Sequence, residues 1–300
     1  MVDGPALYDT HAHIVSDDHE RYPPAESKRH FAAAPFTVEQ LLAGMDELGV
    51  GTACVVQRYH WYLNDNSYVL DSCAAHPDRL VPVVILDAEA PEAPDELRKL
   101  SADGPMGGIR FGGPAWDRMD TEWLNGRGAM RLWEAAAELG LPVTVICFEP
   151  HLSWNLPALA RVAELFPELP ILVDHLGTLQ GFGPDGDAHR GDPARGPYMT
   201  PPDYGITREL RALAARPNVS FKFTGINLDC LAADGLDPAE HLRLVADQLG
   251  VDRLVIGSDI GQTRGPYSRI VDGLREATRL LDDAERAAVL HDNAARIYSR

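Results

Sequence analysis

The sequence predicts a single-domain α/β protein over residues 1–300, folded as a closed (β/α)8 barrel. The chain has 300 residues, which suits one such barrel with insertions. Short apolar runs such as Ile171–Val173 alternate with stretches of helical periodicity, which is typical of parallel strands covered by helices on both faces. No glycine-rich dinucleotide fingerprint opens a helix after the first strand, so the barrel is favoured over a doubly wound open sheet.

The predicted strands share apolar or β-branched centres. They are Leu7–Ile14, Thr52–Gln57, Leu80–Leu86, Gly108–Gly112, Pro142–Phe148, Pro170–His175, Val219–Thr224 and Arg253–Asp259. Helix starts lie between them. Thr37 with Gln40 predicts a capping box, and Asp237 followed by Pro238 predicts a cap with proline in the first turn.

Two segments without helical period follow predicted strands. Asp17–Pro35 follows the first strand and Thr178–Gly205 follows the sixth. In a barrel of this kind the loops after the strands form the C-terminal face, where active sites lie. We therefore expect both long loops to border the substrate, the second by folding over the barrel mouth.

The charge balance narrows the class of partner. Acidic residues number 45 against 27 basic ones, which gives a net charge of -18, and the sequence has no run of four or more basic residues. This excludes a basic nucleic-acid face and a polybasic membrane anchor, but allows a small anionic substrate in a locally basic pocket. No apolar run approaches the ~20 residues of a membrane span, and the first eight residues lack the features of a signal peptide.

The cysteines indicate a reducing environment. They lie far apart and form no metal-binding pair with two intervening residues, which predicts free thiols in a cytoplasmic protein. They are Cys54, Cys73, Cys147 and Cys230. Self-association of the chain is left open.

Two histidines on the first predicted strand form the strongest local signal. His11 and His13 are two residues apart, so on a strand they point to the same side. Two imidazoles on one side form a ready chelate for a divalent ion, commonly zinc. The alternative is a pair of polar side chains that bond only backbone or water.

Two further strand ends favour the chelate. His175 ends the sixth predicted strand and Asp259 ends the eighth. A carboxylate that follows an apolar strand is costly unless it has a partner. Because the first and eighth strands are neighbours in a closed barrel, we expect these side chains to converge on one mouth with His11 and His13.

In these residues and in the motifs around them, the sequence resembles the amidohydrolase superfamily. Within it, the chain is similar to the amidohydrolase-2 branch, which contains 2-pyrone-4,6-dicarboxylate lactonase-like enzymes, sugar lactonases and related decarboxylases. The motifs that carry the resemblance are His11-Ala12-His13, Asn66-Ser67-Tyr68, Ala75–Arg79, Gly108–Phe111, Asp174–Gly177, Gly257-Ser258-Asp259 and Asn293–Tyr298.

The resemblance implies one divalent ion, zinc with manganese as the alternative. Its ligands are taken from His11, His13, His175 and Asp259. Many metal-dependent members place a histidine at the end of the fifth strand, where this chain has Cys147 followed by Glu149 and His151. Which of these three replaces that histidine is open, and so is a metal-free mechanism.

Basic residues near strand ends are the candidates for binding substrate. Lactonase-like members grip substrate carboxylates with such cations, and arginine suits this through its two-pronged guanidinium. Arg110 is the foremost candidate because it lies among glycines that let a substrate approach the backbone. The others, each of which could instead pair with an acidic side chain or pack in a loop, are Arg58, His60, Lys222 and Arg264.

Three functions are the main alternatives, and a hydratase or a natural-product cyclase or hydrolase is also open. The first is hydrolysis of a lactone, with a carboxylate on the substrate, in which Asp259 is the general base and His175 and Arg110 assist. The second is non-oxidative decarboxylation of an aromatic acid by the same groups. The third is a degenerate barrel that binds a metabolite without turnover, suggested by the missing histidine on the fifth strand.

Overall fold

Parallel strands in chain order form the centre of the molecule. The computed structural model describes residues 6–28, 36–112, 120–147, 152–177, 199, 201–263 and 265–299. Within these ranges one sheet of eight strands runs in the order β1 to β8, with every neighbouring pair parallel. The strands are β1 (Leu7–Ala12), β2 (Val50–Val56), β3 (Leu80–Ile85), β4 (Gly108–Phe111), β5 (Val143–Val145), β6 (Ile171–Val173), β7 (Val219–Thr224) and β8 (Leu254–Gly257).

Helices follow the strands and cover the outside of the sheet. Those that the structure describes are α1 (Val38–Leu48), α2 (Tyr59–Tyr62), α3 (Ser67–Ala75), α4 (Ala93–Asp103), α5 (Glu122–Asn125), α6 (Arg127–Leu139), α7 (Leu152–Leu165), α8 (Arg208–Ala214), α9 (Gly225–Ala233), α10 (Pro238–Leu249), α11 (Tyr267–Ala277), α12 (Asp283–Ala287) and α13 (Asn293–Tyr298). The predicted (β/α)8 barrel is therefore confirmed.

The local signals at helix starts act as predicted. Thr37 and Gln40 form a capping box at α1, with each side chain bonding the other residue's backbone N–H. Asp237 caps α10 by accepting a hydrogen bond from the backbone N–H of Ala239 at 2.8 Å. These caps satisfy backbone donors that a helix start leaves without a partner.

The barrel closes where β8 returns to β1. The backbone N–H of Asp259 donates to the carbonyl of His11 at 2.6 Å, and the N–H of His13 donates to the carbonyl of Ile260 at 2.9 Å. Closure therefore fixes Asp259 directly beside His11 on β1 and His13, the residue that follows β1.

A bulge in β1 sets the direction of those histidines. Between Asp9 and Ala12, three steps along β1 match two steps along β2. The Asp9 side chain accepts a hydrogen bond from the Tyr267 hydroxyl of α11, outside the sheet, whereas His11 reaches across the barrel mouth. An extra residue of this kind turns the later side chains, as bulges beside active sites commonly do.

Gly257 allows β8 to approach β1 closely. A Cβ built on it lies 2.6 Å from Cβ of His11, closer than real Cβ atoms come, and 3.0 Å from the backbone N of His11, which is also tight. We expect Gly257→Ala to lower the free energy of unfolding by ~1–3 kcal/mol, the usual cost of overpacking. Urea titration measures this, and Gly104→Ala is the matched control, because nothing lies within 4 Å of a Cβ there.

Three further predictions concern the cysteines, the two long loops and membrane-spanning helices. The four cysteines are buried and unpaired, as predicted. In the two long loops, residues 29–35, 178–198 and 200 lie outside the described residues. The prediction that the second loop folds over the barrel mouth concerns these residues and stays a prediction. None of the described helices is long and apolar enough to cross a bilayer.

Candidate active site

His11 and His13 lie buried at the barrel mouth with their rings edge to face. Their ring centroids are 4.9 Å apart and their Nε2 atoms 3.3 Å apart. His13 Nδ1 lies 2.7 Å from the carbonyl oxygen of Val56 on β2. Because a carbonyl only accepts, Nδ1 of His13 carries the proton and donates, and the lone pair of the neutral ring is on Nε2.

The same reasoning assigns the His11 ring. Its Nδ1 lies 3.2 Å from Oδ1 of Asp174, a carboxylate that accepts, and 3.5 Å from Nζ of Lys222. The nearer partner places the proton on Nδ1, so Nε2 of His11 also presents a lone pair. Both imidazoles then direct an acceptor at the same point.

Asp259 adds a third acceptor. Its Oδ1 lies 3.5 Å from Nε2 of His11 and 3.3 Å from Nε2 of His13. Its other oxygen, Oδ2, accepts a hydrogen bond from the Thr263 hydroxyl at 2.9 Å, which fixes the carboxylate. The backbone of Asp259 is left-handed, with φ 54°, a strained conformation for a residue other than glycine and one that clusters at functional sites.

Three acceptor atoms that face one another are suited to a cation. A tetrahedral zinc ion ~2.0–2.1 Å from two ligand atoms holds those atoms roughly 3.3 Å apart. The observed separations of 3.3 to 3.5 Å match this value closely. The residues present therefore fit a divalent ion, with His11, His13 and Asp259 as its ligands.

Burial keeps the three imidazoles neutral. It lowers the pKa of His11 to about 4 and of His175 to about 3, and it moves the pKa of His13 well below the ordinary value. The neighbouring cations add to this effect on each ring. Neutral imidazole is the form that binds a metal ion.

His175 lies in the turn after β6 rather than on the strand. The strand ends at Val173, and His175 has left-handed φ and ψ of 53° and 32°. Its Nδ1 lies 2.7 Å from the Thr224 hydroxyl, which in turn lies 3.2 Å from Oδ1 of Asn227. Since that amide oxygen only accepts, Thr224 donates to Asn227 and accepts from Nδ1–H of His175, which leaves the His175 lone pair on Nε2.

His175 belongs to a second group of potential ligands. Among the described residues, two sets of three have ligand atoms within 4.8 Å of one another: His11, His13 and Asp259, and His11, Asp174 and His175. The rings of His11 and His175 have centroids 4.9 Å apart. The four predicted ligands thus lie at one barrel mouth, with His175 beside the three-membered set.

Asp174 is the charged centre beneath this mouth. It is fully buried, and its Oδ2 accepts a hydrogen bond from Nε of Arg110 at 2.8 Å. Its Oδ1 lies 3.2 Å from Nζ of Lys222 and 3.2 Å from Nδ1 of His11. Burial raises the pKa of Asp174, but Lys222, His11 and Arg110 outweigh it and hold that pKa well below its ordinary value.

The other predicted substrate residues have different surroundings. In the described part of the chain, Arg58 has no ion-pair partner and its buried Nε has no hydrogen bond. Burial lowers the pKa of Arg58 to about 10, while Asp259 acts to raise it. His60 is half-buried in α2, with its ring centroid 6.2 Å from that of Tyr59. Lys222 is fully buried in β7, and Arg264 lies outside the described residues.

The described residues of the fifth strand do not identify a replacement for the missing histidine. Cys147 follows β5 and is fully buried, and burial raises the pKa of its thiol to about 12. Neither ligand set in the described chain includes Cys147. Glu149 and His151 lie outside the described residues.

The sequence also matches a known protein family. A family model described as "Amidohydrolase" matches residues 8–300, nearly the whole chain. The chain belongs to the amidohydrolase family. It is an enzyme of the amidohydrolase superfamily, as the motifs around His11, His175 and Asp259 predict.

One characterised relative is a lactonase. The L-fucono-1,5-lactonase of Burkholderia ambifaria is 26% identical over 271 residues, which cover 88% of this chain and 84% of the relative. This amidohydrolase therefore aligns with a lactone-hydrolysing enzyme along most of its length.

Solved structures of low identity share the fold. A probable 2-pyrone-4,6-dicarboxylic acid hydrolase from Acinetobacter baumannii, with citric acid bound, has a TM-score of 0.71 at 19% identity, covering 99% of this chain and 100% of its own. An amidohydrolase from Burkholderia multivorans with bound zinc has a TM-score of 0.68 at 21% identity, covering 98% and 99%. The 5-carboxyvanillate decarboxylase of Novosphingobium aromaticivorans, complexed with manganese, has a TM-score of 0.64 at 14% identity, covering 99% and 97%.

Proposed function

We propose that this amidohydrolase hydrolyses a lactone that carries a carboxylate, with one divalent ion held by His11, His13 and Asp259. The observation that carries the proposal is the convergence of three acceptor atoms at separations of 3.3 to 3.5 Å. Zinc is the first choice of ion and manganese the second, and His175 stands beside the set as a further ligand or neighbour. When bound, such an ion polarises a carbonyl oxygen and lowers the pKa of water beside it.

The chain's own residues have separate tasks in this reaction. Asp259 accepts the proton of the attacking water and returns it to the leaving oxygen when the ring opens. The Thr263 hydroxyl holds the Asp259 carboxylate in place through Oδ2. His175 lies in the turn after β6, and burial keeps its ring neutral. Because its Nδ1 is held by Thr224, its Nε2 lone pair is available to the ion or to the substrate.

Arginines at the mouth supply the anion site. Arg110 uses Nε to bind Asp174, and its terminal Nη groups have no ion-pair partner among the described residues. Arg58 has no carboxylate partner in that part of the chain either. The Nη groups of Arg110 and the half-buried guanidinium of Arg58 are therefore the groups that we expect to bind a substrate carboxylate, whose two oxygens match the geometry of a guanidinium.

The relatives support hydrolysis over the alternatives. The L-fucono-1,5-lactonase aligns with 88% of this chain, whereas the manganese-containing decarboxylase is 14% identical and shares the fold. A zinc-bound structural neighbour supports the choice of zinc. The full set of His11, His13, His175 and Asp259 at one mouth weighs against a degenerate binding barrel.

A substrate panel separates these functions. Zinc-loaded protein is offered sugar lactones, carboxylate-bearing lactones and hydroxylated aromatic acids, and proton release and carbon dioxide release are measured in parallel. Proton release from a lactone, without carbon dioxide, is the expected result. Carbon dioxide from an aromatic acid would identify a decarboxylase, and saturable binding without turnover of any compound would identify a binding protein.

Arg110→Met tests the anion site. The change removes the guanidinium while keeping an unbranched side chain, so KM for a carboxylate-bearing lactone should rise at least tenfold, the effect of losing one charge-assisted hydrogen bond. KM for the methyl ester of the same lactone should change little. Arg98→Met is the control, because Arg98 pairs with Glu138 at the surface. Equal losses on both compounds would show that Arg110 acts only in the fold.

A further inference from the structure

The ion pair of Asp174 and Lys222 lies beneath the proposed metal set without belonging to it. Both side chains have no exposed area, and the carboxylate and ammonium groups are 3.2 Å apart. A charge buried this deeply is retained only where it is paired and hydrogen-bonded. The contacts that Asp174 and Lys222 make with other residues therefore indicate the role of the pair.

Asp174 joins the metal set to the anion site. One of its oxygens receives Nε of Arg110 at 2.8 Å, and the other lies 3.2 Å from Nδ1 of His11. In the first contact only Nε bonds Asp174, so the Nη groups of Arg110 remain for another partner. The second places the His11 proton on Nδ1 and its lone pair on Nε2, toward His13 and Asp259.

Lys222 is occupied within the protein. Its Nζ lies 3.2 Å from Oδ1 of Asp174 and donates to the carbonyl oxygen of Thr10 at 3.1 Å. It projects from β7, on the same side as Thr224 two residues later, which supports His175. The ammonium thus pairs with the carboxylate while that carboxylate accepts from two other donors, Arg110 and His11.

We propose that Asp174 is a positioning residue that fixes the Nδ1–H tautomer of His11 and aims Arg110 at the substrate, with Lys222 as its counter-ion instead of a substrate contact. One carboxylate then sets both the metal ligand and the anion site. The proposal rests on the proposed function for the roles of His11 and Arg110, but its first two tests need no substrate.

The tautomer can be read directly in the unaltered protein. Protein labelled with ¹⁵N-histidine and freed of metal is compared with a His11→Gln sample to assign the His11 signals. The expected result is a protonated Nδ1 and an unprotonated Nε2. Protonated Nε2 as the main form would overturn the proposal, whether or not any variant folds.

Asp174→Asn tests the link to the metal set. Asparagine offers one acceptor oxygen to three donors, Arg110, Lys222 and His11, so the His11 tautomer is no longer fixed. Zinc affinity, measured by competition with a chromophoric chelator, should fall ~10–100-fold, as it does when an outer partner of a ligand histidine is lost. Asp46→Asn, which alters a surface pair with Arg79, is the control. Unchanged zinc affinity in folded Asp174→Asn would contradict the proposal.

Lys222→Met distinguishes a counter-ion from a substrate contact. A counter-ion affects the carboxylate-bearing lactone and its methyl ester to the same degree, in contrast to Arg110→Met. A selective rise in KM for the carboxylate would assign Lys222 to the substrate and overturn this part of the proposal. Failure of both compounds to react with the unaltered protein would instead refute the proposed function, while the tautomer and zinc measurements would still stand.

Discussion

Asp259→Asn is expected to lower kcat by ~10²–10⁴-fold, the usual contribution of a positioned general base. The amide keeps the volume of the carboxylate and can still accept from Thr263, but it cannot take a proton from water. The loss should fall on kcat more than on KM, because proton transfer belongs to the transition state. Steady-state kinetics at saturating zinc, with zinc content measured on the same sample, separates loss of the base from loss of the ion.

The competing interpretation of Asp259 is that it only shapes the turn after β8. Asp237 shows what a structural aspartate does, since its carboxylate caps α10 through the backbone N–H of Ala239. Asp237→Ala should lower the free energy of unfolding by ~0.5–2 kcal/mol and leave kcat unchanged. If Asp259→Asn behaves in this way, with a lowered melting temperature and near-normal kcat, then Asp259 has no part in the reaction.

His13→Phe is expected to remove most of the metal affinity. Phenylalanine keeps the ring volume but has no nitrogen, so the ion loses one of three acceptors that lie within 3.5 Å of one another. Zinc affinity should fall by at least the ~10–100-fold that loss of an outer partner costs, and activity should fall with it.

A second buried histidine offers the matched control. His241 on α10 also bonds a backbone carbonyl, that of Tyr204 at 2.8 Å, but belongs to neither ligand set in the described chain. His241→Phe should cost stability without changing zinc affinity. Equal zinc affinity in His13→Phe and His241→Phe would remove His13 from the metal site.

The sequence predicts the barrel well because its signals are local. Capping residues such as Thr37 and apolar runs such as Ile171–Val173 depend on neighbours along the chain. Strand alternation also predicts that His11 and His13 lie on one side, although β1 ends at Ala12 and His13 follows it. The bulge between Asp9 and Ala12 does not, because it depends on how β1 pairs with β2.

The parts of the site that depend on contacts across the barrel escape sequence reasoning. Asp174 appears in the motif before His175, yet its contacts come from β1, β4 and β7, which no spacing along the chain reveals. Thr224 and Asn227, which set the His175 tautomer, are likewise found only in the fold. The available signal for Asp174 was a carboxylate directly after an apolar strand, which requires a partner.

Contacts across the barrel also explain why β6 and β8 are shorter than the sequence predicts. The sequence predicts His175 and Asp259 at strand ends, whereas β6 ends at Val173 and β8 at Gly257. Both residues have positive φ, which a residue other than glycine adopts only when its surroundings enforce it. Here the enforcing contacts are the backbone bond from Asp259 to His11 and the amide of Asn227 on the His175 carbonyl.

Titration of metal-depleted protein with zinc, followed by proton release from a carboxylate-bearing lactone, tests the central claim most directly. If His11, His13 and Asp259 hold the ion that the reaction needs, the rate should start near zero, rise in proportion to added zinc and level off at one ion per chain. Manganese should restore activity with the same stoichiometry. Full lactone hydrolysis by protein in which no metal is detectable, unaffected by added zinc, would contradict the claim.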